Sequence, residues 1–141
     1  MADREAPAPP EGFQASDGRG PFSTVNGPIF HRLLDEHVQH AFFAEHRHTN
    51  GMGLVHGGMM TAFLDGLLAA AVFRGAQRPA VTIHLSVDFL HMVRAGEWVI
   101  GEARLTRATQ EVAFAEGRAF VGGRDLVRAT GVFKLMNRRL R

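Results

Sequence analysis

The apolar positions of this chain change period near its middle. From Met59 to Phe73, in "MMTAFLDGLLAAAVF", nearly every residue is apolar, and only Thr61, Asp65 and Gly66 interrupt the run. Its length and its content of Ala, Leu and Met predict a helix rather than a strand. Gly57 and Gly58 open that helix, and Gly75 and Pro79 end it. A helix apolar on all sides is expected to be buried on all sides.

Downstream the period becomes two. In "VTIHLSVDFL" the odd positions Val81, Ile83, Leu85, Val87 and Phe89 are apolar and the even positions are polar, which predicts a strand with one apolar face. "LVRATGVFKL" repeats the pattern, with Val127, Ala129, Phe133 and Leu135 opposite Arg128, Thr130 and Lys134. Two more strands are predicted between them, over 97–108 and 111–121. Thr109-Gln110 separates this pair, and a hairpin turn at Gly122-Gly123-Arg124-Asp125 precedes the last strand. Upstream, "GPIFHRLLDEHVQHAFFAEH" reads as two extended segments joined at Asp35-Glu36, with a helix over 32–43 as the competing reading. The stretch "RHTNGMGLV" is a loop, marked by Asn50, Gly51 and Gly53.

The predicted order is one or two strands, a buried helix, then four consecutive strands. Short links favour antiparallel pairing. The layer solution is an α+β fold, one curved antiparallel sheet wrapped around one long central helix. Residues 1–20 contain Pro7, Pro9, Pro10 and three glycines, which predicts a flexible N-terminal arm before a single domain over 21–141.

The 141 residues, 45% hydrophobic and 21% charged, suit one soluble globular domain. There is no cysteine, hence no disulfide framework and no thiolate metal site. The N-terminus carries no apolar run of the secretory kind. The run from Met59 to Phe73 is shorter than the ~20 residues of a membrane span. A cytoplasmic protein without membrane contact is expected. Net charge is +2. The arginines at 138, 139 and 141 crowd a tail without aromatics, which reads as a solvated terminus and not as a nucleic-acid stripe.

Asp65 then stands out, because burying an ionised carboxylate without partners is very costly. It faces a solvent channel or caps a loop, or it makes a structural salt bridge, or it is a catalytic group in a cleft. Gly57 and Gly58 sit where a helix N-terminus presents free N–H groups to an oxyanion or a polarised carbonyl. His56 and Asn50 add polar groups beside that point. Together they supply an electrophile-activating end and a base, the two parts that acyl transfer to water needs. Along a helix, however, Gly57 and Asp65 lie roughly 12 Å apart. If both act on one bond, they must come from two antiparallel copies across a two-fold axis.

The run Asn50 to Gly58, "NGMGLVHGG", followed by Asp65 and later by "SVDFL" and "RAGE", resembles the hotdog-fold acyl-CoA thioesterases. Within the hydroxybenzoyl-CoA thioesterase superfamily it is most similar to the phenylacetate-pathway type, over roughly 28–136. The resemblance implies that the Gly57 N–H, helped by Asn50, polarises the thioester carbonyl. It implies that Asp65 of the other subunit is base or nucleophile, that Thr82 positions the attacking water, and that His56 orients the loop. It also implies an acyl-CoA substrate, no cofactor beyond the coenzyme A of that substrate, and a homodimer paired again into a dimer of dimers. His91-Met92 replaces a proline common in the family after the "DFL" strand, near the expected mouth of the pocket.

Gly58, Met59, Phe63, Leu64 and Arg94 are candidate substrate-binding residues, with Met60 also in the apolar run. Arg78 and Arg107 join Arg94 as candidates for the coenzyme A phosphates. The eight histidines include an H-x-H pair, His46 and His48, but no glutamate follows at cupin spacing, so no metal site is predicted. "GMGLVHGG" fails the dinucleotide pattern because His56 stands at the third glycine position. A hotdog hydratase or dehydratase would pair histidine and acid in a differently spaced motif. A non-catalytic acyl-CoA-binding or aromatic-ligand-binding protein is the remaining class.

Overall fold

The computed structural model describes residues 7–137. The arginine tail at 138–141 therefore lies outside the described residues. Seven strands form one antiparallel sheet: β1 (Gln14–Ala15), β2 (Phe30–Leu33), β3 (Val38–Phe43), β4 (Ala80–Phe89), β5 (Trp98–Ala108), β6 (Val112–Val121) and β7 (Arg124–Leu135). Two helices accompany it, α1 (Pro21–Asn26) and α2 (Gly57–Ala76). The sheet order is β1-β2-β3-β5-β6-β7-β4. The chain thus enters at one edge, crosses through α2 to the far edge at β4, and returns inward. α2 packs against β3, β4, β5, β6 and β7, so the sheet wraps around it as expected. By length and apolarity α2 would also reach across a bilayer, longer than its apolar run alone suggests. Here it is the core helix of the sheet.

The β7 alternation is observed as read: Val127, Ala129, Phe133 and Leu135 are buried while Arg128, Thr130 and Lys134 are exposed. Three expectations change. α2 is not buried all round. Its buried residues, Met60, Phe63, Leu64, Leu67, Leu68, Ala71 and Val72, follow helical spacing on one face. The opposite side, with Ala62, Asp65, Gly66, Ala69 and Phe73, stays half-buried or exposed. Among the described residues no second layer covers that side, so apolarity alone did not distinguish the two faces.

The single apolar face of β4 is also broken. Register against β7 shifts between Thr82 and His84, a bulge at Ile83 that flips the alternation. Ala80, Leu85 and Val87 pack on the core, Thr82 reaches α2, and Val81 and Ile83 are 54% and 59% exposed. β4 is an edge strand, so its free side carries both unpaired backbone and exposed apolar side chains.

The described part of the N-terminal arm makes contacts with β2. Residues 1–6 lie outside the described residues. Within 7–20, Gln14 and Ala15 pair with His31 and Phe30, Ser16 Oγ lies 2.7 Å from His31 Nδ1, and the Arg32 guanidinium sits 4.8 Å over the Phe13 ring. Backbone pairing and polar contacts hold it, neither of which needs an apolar run.

Gly75 does not end α2. The helix runs on to Ala76 and is capped by Gln77 in the left-handed conformation, φ 58°, whose N–H bonds the Phe73 carbonyl. A Cβ on Gly75 would come within 2.5 Å of Leu105, so this glycine serves the close approach of α2 to β5.

Candidate active site

The loop before α2 is built by its own polar groups. Asn50 Oδ1 accepts the N–H groups of Met52 and Leu54 at 2.9 and 3.2 Å, an Asx-type closure. Val55 N–H donates to the Val93 carbonyl, and Leu54 bridges to Arg94. His48, read from sequence as half of an H-x-H pair, is buried. Its Nδ1 accepts the Glu45 N–H at 3.0 Å and its Nε2 lies 2.8 Å from the Asn26 carbonyl. Nδ1 thus closes the loop on itself, and Nε2 ties the loop to α1. Among the described residues no group of three or more metal-ligating side chains comes together.

His56 is the N-cap of α2, and its Nδ1 accepts the Gly58 N–H at 2.7 Å. A Cβ on Gly58 would lie 2.9 Å from that same nitrogen. Gly58 therefore makes room for the cap, and its N–H is not available to a ligand. The Gly57 N–H has no acceptor among the described residues and stands at the positive end of a 20-residue helix. Asn50 spends its carbonyl oxygen on the loop, and its Nδ2 has no acceptor among the described residues.

Two turns further, Thr82 Oγ1 donates to Asp65 Oδ1 at 2.6 Å. Asp65 is half-buried on the side of α2 that faces the β4 edge. The hydroxyl holds one carboxylate oxygen and leaves the other without a partner among the described residues. Gly57 and Asp65 lie on one unbroken helix, so the separation of roughly 12 Å expected from helical rise stands.

Of the other candidates, Met59 and Phe63 line a cavity of about 30 Å³ beside α2. Leu64 is fully buried and belongs to the core, as does Met60. Arg94 is exposed beside the loop. Arg78 donates to the carbonyls of Gln110, Leu135 and Met136, a structural role that pins the chain end. Arg107 lies at the far end of β5, roughly 30 Å along the strand from the end beside the loop. A groove of about 300 Å³ on the outer face of the sheet is lined by charges that pair with one another, Arg104 with Glu116 at 2.6 Å and Arg128 with Asp88 at 3.2 Å.

The sequence reading missed one pair. Arg19 Nη2 lies 2.7 Å from Nε2 of the buried His40. Burial, then the charges of Arg19 and His31, hold the His40 ring well below the usual histidine value of 6.5. The folded protein thus keeps His40 neutral while the unfolded chain takes up a proton near 6.5. Stability is therefore full above that pH and falls as pH drops below it. The urea midpoint is expected to fall between about pH 7.5 and 5.5, with a shallower slope in His40→Gln. An unchanged slope in that variant would show that other groups carry the dependence.

A seven-stranded antiparallel sheet wrapped on one long helix is the architecture of the hotdog fold. The chain belongs to the thioesterase superfamily, whose family model matches residues 52–128. It is a thioester hydrolase. It is 35% identical over 129 residues to the Pseudomonas aeruginosa protein named Putative esterase PA0474, covering 89% of this chain and 96% of that one. Among solved structures it is similar to the phenylacetic acid degradation-related protein of Ralstonia eutropha JMP134, at 25% identity and TM-score 0.74, over 84% of this chain and 92% of that one. It shares the fold of the hypothetical thioesterase protein of Streptococcus pneumoniae TIGR4 solved with coenzyme A, at 17% identity and TM-score 0.73, over 79% of this chain and 88% of that one.

Proposed function

We propose that the protein hydrolyses acyl-CoA thioesters at sites shared between two protomers. The observation that carries this reading is the placement of Gly57 and Asp65 two turns apart on one rigid helix. One carbonyl cannot reach both within a chain, whereas two antiparallel copies of α2 bring each Asp65 to the other's Gly57. The free β4 edge supports the pairing: Val81, Ile83, Phe89 and Leu90 are 46–59% exposed along it. A second strand laid there would pair the open backbone and cover these side chains. Further pairing into a dimer of dimers is part of the proposal, and sedimentation velocity at assay concentration checks both levels. A fully active monomer would overturn the shared site.

In this arrangement the thioester oxygen accepts hydrogen bonds from the Gly57 N–H and Asn50 Nδ2. The partner's Asp65 removes a proton from water as the water oxygen bonds to the carbonyl carbon. The resulting oxyanion is held by the same two donors. Its collapse breaks the C–S bond, and the proton from Asp65 goes to the departing thiolate. Alternatively Asp65 attacks the carbonyl itself and displaces the thiolate, and water then opens the anhydride at the Asp65 carboxyl carbon. Single turnover in isotopically labelled water separates the two, since only the second route labels Asp65. In this reading Arg94, exposed beside the loop, meets the coenzyme A phosphates, and no other cofactor enters the chemistry. Release of free thiol from aryl- and fatty acyl-CoAs tests the activity, and binding without release would overturn it.

Thr82 holds Asp65 in this scheme. Thr82→Val is expected to lower kcat roughly 10-fold with little change in KM, because a misaligned base weakens the transition state alone. Thr82→Ser should recover most of the loss. Equal activity in all three proteins would remove the positioning role.

A further inference from the structure

The cavity beside α2 holds a cation without a counter-charge. It is lined by Arg19, His40, Met59, Ala62, Phe63 and Gly66 among others. Arg19 forms no ion pair among the described residues. One of its terminal nitrogens meets neutral His40, and its buried Nε has no partner among the described residues. A guanidinium carries five N–H donors, and half-burying that of Arg19 without an anion carries a desolvation cost. Burial indeed lowers its pKa from the usual value. The cost persists in the free protein unless an anion arrives to offset it.

The cavity's position gives the anion a source. Met59 lies in the first turn of α2, just after Gly57, and Ala62, Phe63 and Gly66 continue along the same side of the helix. Phe63 stands roughly 9 Å from Gly57 in helical rise. A Cβ on Gly66 would meet no atom within 4 Å, so space is open along this side. The whole cavity measures about 30 Å³, which suits one small polar group and not a bulky apolar one.

We propose that Arg19, supported by His40, binds a carboxylate at the far end of the acyl group, so that the protein favours thioesters of short dicarboxylic acids. This rests on the thioesterase reading above. The acyl carbonyl lies at Gly57, the carbon chain runs along Met59 and Ala62, and the distal carboxylate completes the donors of Arg19. His40 accepts one Arg19 N–H and turns the rest of the guanidinium toward the substrate.

The test compares succinyl-, glutaryl- and adipyl-CoA with neutral counterparts in which an isopropyl group replaces the carboxylate. The wild type is expected to favour one diacid over its neutral counterpart in kcat/KM. Arg19→Met should cut that preference roughly 10- to 100-fold, the loss expected for a charge-assisted hydrogen bond. Arg19→Lys should recover part of it, with far-UV circular dichroism checking the fold of both variants. No preference in the wild type, or equal losses on charged and neutral substrates, would overturn the proposal. Should no acyl-CoA release thiol, the thioesterase reading fails, and the site is judged by free glutarate instead. Glutarate raising the melting temperature of the wild type but not of Arg19→Met supports the carboxylate site. No such protection in the wild type overturns it.

Discussion

Asp65→Asn is expected to lose roughly 10²- to 10⁴-fold in kcat, the range for removing a general base, with KM little changed. The substitution keeps the shape of the side chain. Asn Oδ1 still accepts from Thr82 Oγ1, now at 2.6 Å from Asp65, so the local packing survives. Only the negative charge of the carboxylate is lost. The Asp65 carboxylate is half-buried on the unpacked side of α2, so no core contact depends on it. Sedimentation and melting temperature should match the wild type. A kcat within a few-fold of wild type across several acyl-CoAs would sink the assignment of Asp65.

Gly57→Pro is expected to cost roughly 10²- to 10³-fold in kcat, the loss typical of removing one oxyanion donor. Gly57 is the first residue of α2, where proline is well tolerated because that N–H has no intrahelical partner. His56 before it has φ −59° and ψ 136°, a conformation that a following proline favours. The variant thus deletes one N–H from an intact helix. Gly57→Ala is the control, since it keeps the N–H and its Cβ would meet the Phe89 ring at an ordinary 3.5 Å. Near wild-type turnover in Gly57→Pro would show that this N–H does not hold the oxyanion.

The two variants together test the shared site. A mixture of Asp65→Asn and Gly57→Pro chains, unfolded and refolded together, forms hybrid dimers. If each site draws on both chains, one site of every hybrid is intact, and about a quarter of all sites should recover. If the site lies within one chain, every site keeps a lesion and nothing recovers.

Much of this site was legible in the sequence because its signals are local. The change of period from near-continuous apolarity to alternation marks α2 and the strands after it, since side-chain direction repeats within a few residues. His56-Gly57-Gly58 could be placed at a helix start, and Asp65 stood out as one carboxylate in an apolar run. The 12 Å problem between Gly57 and Asp65 followed from helical rise alone. The sequence also separated the outward and inward positions of β7.

Tertiary structure decided what depends on residues distant in the chain. Composition could not tell Leu64, sealed in the core, from Met59, which borders a cavity, because both are large and apolar. It could not show that Gly58 yields its N–H to His56 while Gly57 keeps its own free. The bulge in β4 arises from its register against β7, forty to fifty residues on, so Val81 could not be assigned its side from alternation. Arg78 looked like a phosphate ligand until the sheet brought three carbonyls around it. The Arg19–His40 pair had no local signal at all, since it forms only when a polar arm folds over β3. Periodicity and caps act within a turn or two of chain, and the sequence by itself determined what they govern. The pairing of charges and the allocation of free donors depend on which strands become neighbours, and only the folded sheet decided that.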